Sequence, residues 1–281
     1  MDFYMKRNGL LKNDYKIKDI KKLKEYLLDI YLFYEKRGCF KFAYEGIIDA
    51  SSGKYRKLPS MKPTPEIYFL NHLGSEKMFP IDKYINRYSI EELFTVIEIL
   101  YEHIAIIDYL VWETEQWEIQ PEFKNTINNI LKLYNDGYYL NESGHVLNLP
   151  NDAVLELINE DLPCDTPITV IDKVNSATKM FFHFSSTRDE KGKAICLLED
   201  ILEPLRKDLA KITHDEWDIS VKVYDKLLFE LVNKYGLRHN KPNEINDYSK
   251  DIWHEWMFHF YLATVFAYYK LKEVIESNKS I

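Results

Sequence analysis

At three of the places where this chain writes a serine or threonine followed, three residues later, by glutamate, the pair stands at the head of a run of apolar residues at helical spacing. The three stretches are Ser89-Ile-Glu-Glu92, Thr187-Arg-Asp-Glu190 and Thr213-His-Asp-Glu216. Such a pair satisfies two orphan N–H groups reciprocally at a helix start, so the pattern marks where helices begin. After Ser89, the residues Leu93, Val96, Ile97, Leu100, Ile104 and Ile107 form one stripe. After Thr187, the stripe is Ala194, Leu197, Leu198, Ile201, Leu202, Leu205 and Leu209, and Pro204 inside it predicts a kink. The third pattern predicts a helix from Thr213 to about Tyr235, with Gly236 as the left-handed residue past its end. With only 9 glycines and 10 prolines in 281 residues, long regular elements are favoured over a loop-rich fold.

The remaining elements follow the same logic. Asp19 predicts a cap for a helix reaching about Arg37, ended by Gly38, with Ile20, Leu23, Leu27, Ile30, Tyr31 and Tyr34 recurring at helical spacing. From Cys39 to about Pro80, glycines and prolines break the pattern into loops and short helices. A helix is predicted from about Pro121 to Asn135, then a β-hairpin over Gly137–Leu149 with its turn at Ser143-Gly144. A short helix from Asp152 to Glu160, one from Ile171 to His183 and a long aromatic helix capped by Ser249 complete the chain. The expected fold is mainly α. It has a helical N-terminal domain (1–115), a connecting helix and β-hairpin (116–165) and a C-terminal antiparallel helical bundle (166–281).

Composition narrows the function. Apolar residues make up 46% and aromatics 15%, enough for a packed core. Met1–Lys24 is polar and basic, and the most apolar run, Trp256–Tyr269, falls short of the roughly 20 residues that span a bilayer. We therefore expect no export signal and no membrane partner. The 3 cysteines, Cys39, Cys164 and Cys196, lack paired spacing, which points to a reducing cytoplasm and away from a zinc site. A net charge of −8 excludes nonspecific nucleic-acid coating, though not a local basic site. The densest basic run, Lys16–Lys24, reads as the solvated side of a helix.

No phosphate loop, dinucleotide fingerprint, nucleophile elbow or Cys-x-x-Cys pair is present. His254 and His259 are five apart, so they diverge around a helix rather than sharing a metal. Glu98, Glu102 and His103 form a weaker constellation: two glutamates four apart suit acid–base work or a cation, or are simply solvated, and the catalytic reading predicts a pocket lined by their helix. The leading candidate is Leu237-Arg238-His239-Asn240-Lys241-Pro242, in a polar segment after a helix. Arg238 offers a fixed cationic fork for phosphate, and His239 can pass a proton near neutral pH, which together suit metal-free phosphodiester cleavage. The same two residues also suit a helix C-terminus, whose dipole and free carbonyls favour cations.

Three stretches give the C-terminal part, roughly the last 110 residues, a resemblance to HEPN domains of bacterial abortive-infection and toxin proteins: the Thr187-Arg-Asp-Glu-Lys191 helix opening, the long helix ending in Leu237-Arg238-His239-Asn240, and the aromatic last helix. The stretch Tyr88–His103, with Phe94-Thr-Val-Ile-Glu98, is similar to N-terminal regions of AbiJ-type abortive-infection proteins. The resemblance implies an antiphage protein whose bundle dimerises and cleaves RNA without a metal or other cofactor. Arg238 and His239 would be catalytic, with Asn240 and Lys241 binding substrate. HEPN ribonucleases carry a further His five to seven positions after the Arg, where this chain has Asn243, Glu244 and Ile245. The alternative is therefore a degenerate site in a non-catalytic interaction protein, a phage sensor or antitoxin-like partner.

Overall fold

The computed structural model describes residues 4–8, 15–49, 51–217, 221–235, 237, 245 and 247–279. Helix accounts for 62% and strand for 8%, so the chain is mainly α, with three small antiparallel hairpins among the described residues. It divides into two compact units, Met1–Leu149 and Pro150–Ile281.

The first unit opens with α1 (Tyr4–Arg7) and α2 (Ile20–Lys36). The Asp19 carboxylate accepts from the Lys21 N–H at 2.9 Å, the expected cap. α2 buries Leu23, Leu27, Tyr31 and Tyr34, and Gly38 just beyond it has φ +77°. In the basic run, Lys16, Lys18, Lys21 and Lys22 are exposed, but Lys24 is buried. Its ammonium donates to the Asn86 carbonyl at 3.2 Å, and burial lowers its pKa.

Next come α3 (Lys41–Glu45), a hairpin of β1 (Ile47–Ile48) and β2 (Tyr55–Lys57), α4 (Pro65–Leu73) and α5 (Ile81–Tyr84), which runs into a 3-10 turn at Ile85–Arg87. α4 starts where Thr64 caps it and Pro65 occupies its first turn. α6 (Ile90–His103) carries the complete Ser89/Glu92 capping box and buries Leu93, Val96, Ile97 and Leu100.

The predicted continuation of that stripe to Ile107 does not form. The helix stops at His103, the Ala105 N–H donates to the Cys39 carbonyl at 2.9 Å, and β3 (Ile106–Asp108) pairs with β4 (Glu113–Glu115). Buried Ile104 and Ile107 fit a helical stripe as well as an extended segment, and the carbonyl of Cys39 decides between them.

α7 (Ile119–Leu131) packs on α2. β5 (Tyr138–Leu140) and β6 (Val146–Asn148) form the expected hairpin, register Tyr139↔Leu147, turning at Gly144 (φ +79°). A Cβ on Gly144 would lie 2.8 Å from the Tyr101 ring, so this turn needs glycine twice over.

This hairpin and α7 do not form a separate connector. Asn128 holds Leu140 from both sides: its amide donates to the Leu140 carbonyl at 3.0 Å, and its oxygen accepts from the Leu140 N–H at 2.6 Å. Glu98 on α6 accepts from the Val146 N–H at 2.7 Å. Residues 116–149 therefore complete the first unit, and the division falls at 149/150 rather than at 115 and 165.

The second unit begins with α8 (Asp152–Ile158), capped by Asn151. α9 (Ile168–Phe182), α10 (Arg188–Leu202), α11 (Arg206–Trp217), α12 (Val221–Lys234) and α13 (Lys250–Lys279) follow. The Thr187/Glu190 capping box opens α10 as predicted. At Pro204 the chain does more than kink: α10 ends, and a 3-10 turn at Glu203–Leu205 leads into α11. α11 then runs through Thr213, so the third Ser/Thr-x-x-Glu pattern is interior to a helix and the next helix starts at Val221. Residues 206–212 already continue the helix, leaving no free N–H groups at 213 for a cap to satisfy.

α10 contacts α9, α12 and α13. Phe181 stacks on Phe258 (4.1 Å between centroids), and Phe182 meets it edge-on at 5.3 Å. Ala194, Ile195, Leu198, Leu228, Val232, Leu262 and Val265 fill the rest of this core. No described helix is long and apolar enough to cross a membrane.

Candidate functional site

The sequence places its leading candidates between the end of α12 and the start of α13. Arg238, His239, Asn240 and Lys241 all lie outside the described residues, as do Gly236, Asn243 and Glu244. The flanks of the segment are described. The Ile245 N–H donates to the Lys234 carbonyl at 2.8 Å. The Tyr248 hydroxyl donates to the Tyr235 carbonyl at 3.1 Å and lies 3.0 Å from His254 Nε2. With that hydroxyl proton committed, His254 Nε2–H donates to the phenol oxygen, and Nδ1 carries the lone pair.

Nδ1 is buried with no partner among the described residues, and His254 is 3% exposed. Burial first, then the Lys250 ammonium, lowers its pKa and keeps it neutral. Gly192 on α10 makes room here: a Cβ would lie 3.3 Å from Leu237 and 3.9 Å from the His254 ring. A bidentate pair, Arg188 to Asp251 at 2.9 and 2.6 Å, joins the first turns of α10 and α13. His254 is thus a packing and hydrogen-bonding residue. His259 is half-buried and also held neutral by burial.

Glu98 is held apart from His103, while Glu102 is near enough for its charge to oppose, weakly, the effect of burial on the His103 ring. Glu98 holds the β5–β6 hairpin, and Glu102 is exposed. His103 is 8% exposed, with Nδ1 2.8 Å from Ser60 Oγ and Nε2 2.8 Å from the Tyr68 hydroxyl. Burial lowers the pKa of His103 and raises that of Tyr68. A neutral imidazole therefore ties the loop at Ser60 and α4 to the end of α6. Ser60 and Tyr68 lie 43 and 35 residues from His103, and no local pattern announces either. The cavity that α6 does line holds about 10 Å³, room for one water at most, and sits on the opposite, apolar side against Leu27, Leu93, Ile97, Leu100 and Phe123.

Among the described residues, one group of carboxylates is close enough to share an ion: Glu199, Asp200 and Glu203 at the end of α10. Nothing further there points to a ligand.

The outward side of α13 is different in kind. Trp253 is 47% and Trp256 41% exposed, and Trp256 lies parallel to Phe260 at 5.3 Å. Exposed Ala263, Ala267 and Val274 continue the stripe. The other sides of the helix bury Met257, Phe258, Tyr261, Leu262 and Val265.

The chain matches no family model, no curated protein and no solved structure.

Proposed function

We propose that this is an antiphage abortive-infection protein whose second unit is HEPN-like and cleaves RNA without a metal ion. The observation carrying the reading is Arg238-His239-Asn240-Lys241 in the connection between α12 and α13, within a unit of long helices packed around α10. In this mechanism His239 takes the ribose 2′-hydroxyl proton, and the 2′-oxygen attacks phosphorus. The bond to the 5′-oxygen breaks, the imidazolium returns the proton to that leaving oxygen, and a 2′,3′-cyclic phosphate remains. Arg238 balances charge on the phosphoryl oxygens, while Asn240 and Lys241 hold the backbone. The active species is a cytoplasmic homodimer.

The test is cleavage of labelled RNA in EDTA by wild type, Arg238→Ala and His239→Ala. Cyclic-phosphate ends from wild type alone support the mechanism; equal cleavage by His239→Ala, or none by wild type in the presence of a phage trigger, overturns it.

The exposed Trp253 and Trp256, beside half-buried Phe260, favour a second reading, a non-catalytic interaction protein that docks a phage or host protein on α13. Trp253→Glu with Trp256→Glu separates the two. Loss of phage resistance with RNA cleavage intact shows that docking on this stripe is required, and loss in a wild type without nuclease activity leaves docking as the function. Retained resistance removes it.

A further inference from the structure

We propose that the first unit docks on a phospholipid bilayer surface through the tip of the β3–β4 hairpin, with Leu110 and Val111 entering the apolar layer. Four consecutive apolar residues, Tyr109-Leu110-Val111-Trp112, make up the turn between Asp108 and Glu113. Leu110 is 92% exposed, more than any other large apolar side chain among the described residues, and Val111 is 62% and Tyr109 52% exposed. A run like this on a surface in water is unfavourable unless something covers it.

The turn holds the run outward rather than folding it away. The Asp108 carboxylate accepts from the Leu110 N–H at 2.7 Å and fixes the start of the turn. Trp112 ends it at φ +59°, a left-handed backbone that suits glycine and is strained for so bulky a residue. Its ring lies 4.5 Å from the Arg56 guanidinium, and the Lys41 ammonium lies 5.8 Å from the Tyr109 ring. Aliphatic side chains thus stand at the apex, aromatic rings flank them, and cations of α3 and β2 lie against the rings.

That order selects the partner. A bilayer presents hydrocarbon, then an interface that favours Trp and Tyr, then the phosphate level that Arg and Lys side chains reach. Charge removes the main competitor. Arg56 is paired with Asp49 and Lys57 with Glu113, and Glu45 stands one turn beyond Lys41 on α3, so a polyanion such as RNA meets no positive excess. A protein partner would need a socket shaped to a convex tip, whereas lipid closes around any. With the charges at the base already paired, attachment comes from apolar burial rather than from attraction to anionic lipid. The expectation of no membrane partner rested on the lack of a spanning run, and insertion of a turn needs none. Nothing in this argument uses the ribonuclease reading.

The experiment is co-sedimentation of the full chain with an excess of phosphatidylcholine vesicles, at low and high NaCl, for wild type and Leu110→Glu. Wild type should bind, and Leu110→Glu should bind at least about tenfold less, the loss expected when one leucine no longer leaves water. Added salt should change wild-type binding by less than about twofold. No binding by wild type overturns the proposal. Equal binding by Leu110→Glu places the contact elsewhere, and binding that salt abolishes makes it electrostatic; either result does the same. Leu110→Glu should melt with wild type, because its side chain is exposed. A lower midpoint shows that the tip packs on its own protein, and a lipid-free dimer that Leu110→Glu splits assigns the tip to a second copy; both refute docking on lipid.

Discussion

α6 and α13 each present apolar residues at helical spacing, yet their surroundings differ. α6 has its stripe fully covered by its own unit, and its polar residues are tied to distant segments: Glu98 to the β5–β6 hairpin, His103 to Ser60 and Tyr68. α13 buries most of its circumference and still shows Trp253, Trp256 and Val274 on its outward side. The first arrangement serves internal cohesion. The second has more apolar surface than its own core uses, which is what a contact surface requires.

The largest effect that would sharpen this contrast lies in the shared inner side of α13. Phe258→Ala removes a ring packed on both Phe181 and Phe182 and should cost about 3–5 kcal/mol in denaturant unfolding. A loss under about 1 kcal/mol would mean that the α9–α10–α13 core is misassigned.

Acid should act on both units through buried neutral histidines. His254 and His103 have folded pKa values below their ordinary ones. Below about pH 6.5 the unfolded chain therefore binds more protons than the folded one, and stability falls as pH falls toward the depressed folded values. Unfolding free energies at pH 7.5 and 5.5 should differ less in His254→Gln than in wild type; an unchanged pH slope would remove His254 from the account.

The smallest effects are at the two capping boxes. Ser89→Ala and Thr187→Ala should each cost about 1 kcal/mol, similar in the two units because each removes the side-chain oxygen that accepts from the glutamate N–H three residues on, while the glutamate's bond to the backbone N–H remains. Thr213→Ala, interior to α11, should cost clearly less, and a matching loss there would reinstate the predicted third helix start.

Much of this was legible because it is local. Ser89, Thr187, Asp19 and the alternation flanking Gly144 are complete signals within a few residues, and the structure has a helix start or a turn at each. Thr213 carries the same signal and fails, because a cap works only where the preceding residues leave the helix. The stripe through Ile107 fails for a related reason: spacing alone does not distinguish a helix from an extended segment that finds a partner. The candidate cluster at Arg238–Lys241 was read from residue chemistry alone. The Ser60–His103–Tyr68 bridge was out of reach, since it joins segments far apart in sequence.

By itself the sequence determined the mainly helical class, most helix starts and the β5–β6 hairpin, all set by hydrogen bonds and side-chain spacing within a turn or two of the chain. The tertiary structure alone decided that α7 and the hairpin belong to the first unit, that α6 ends at His103, and that α13 keeps an apolar side outward. Those outcomes depend on which distant carbonyl, side chain or surface is available to complete a bond or cover a face, and neighbouring residues carry no record of that.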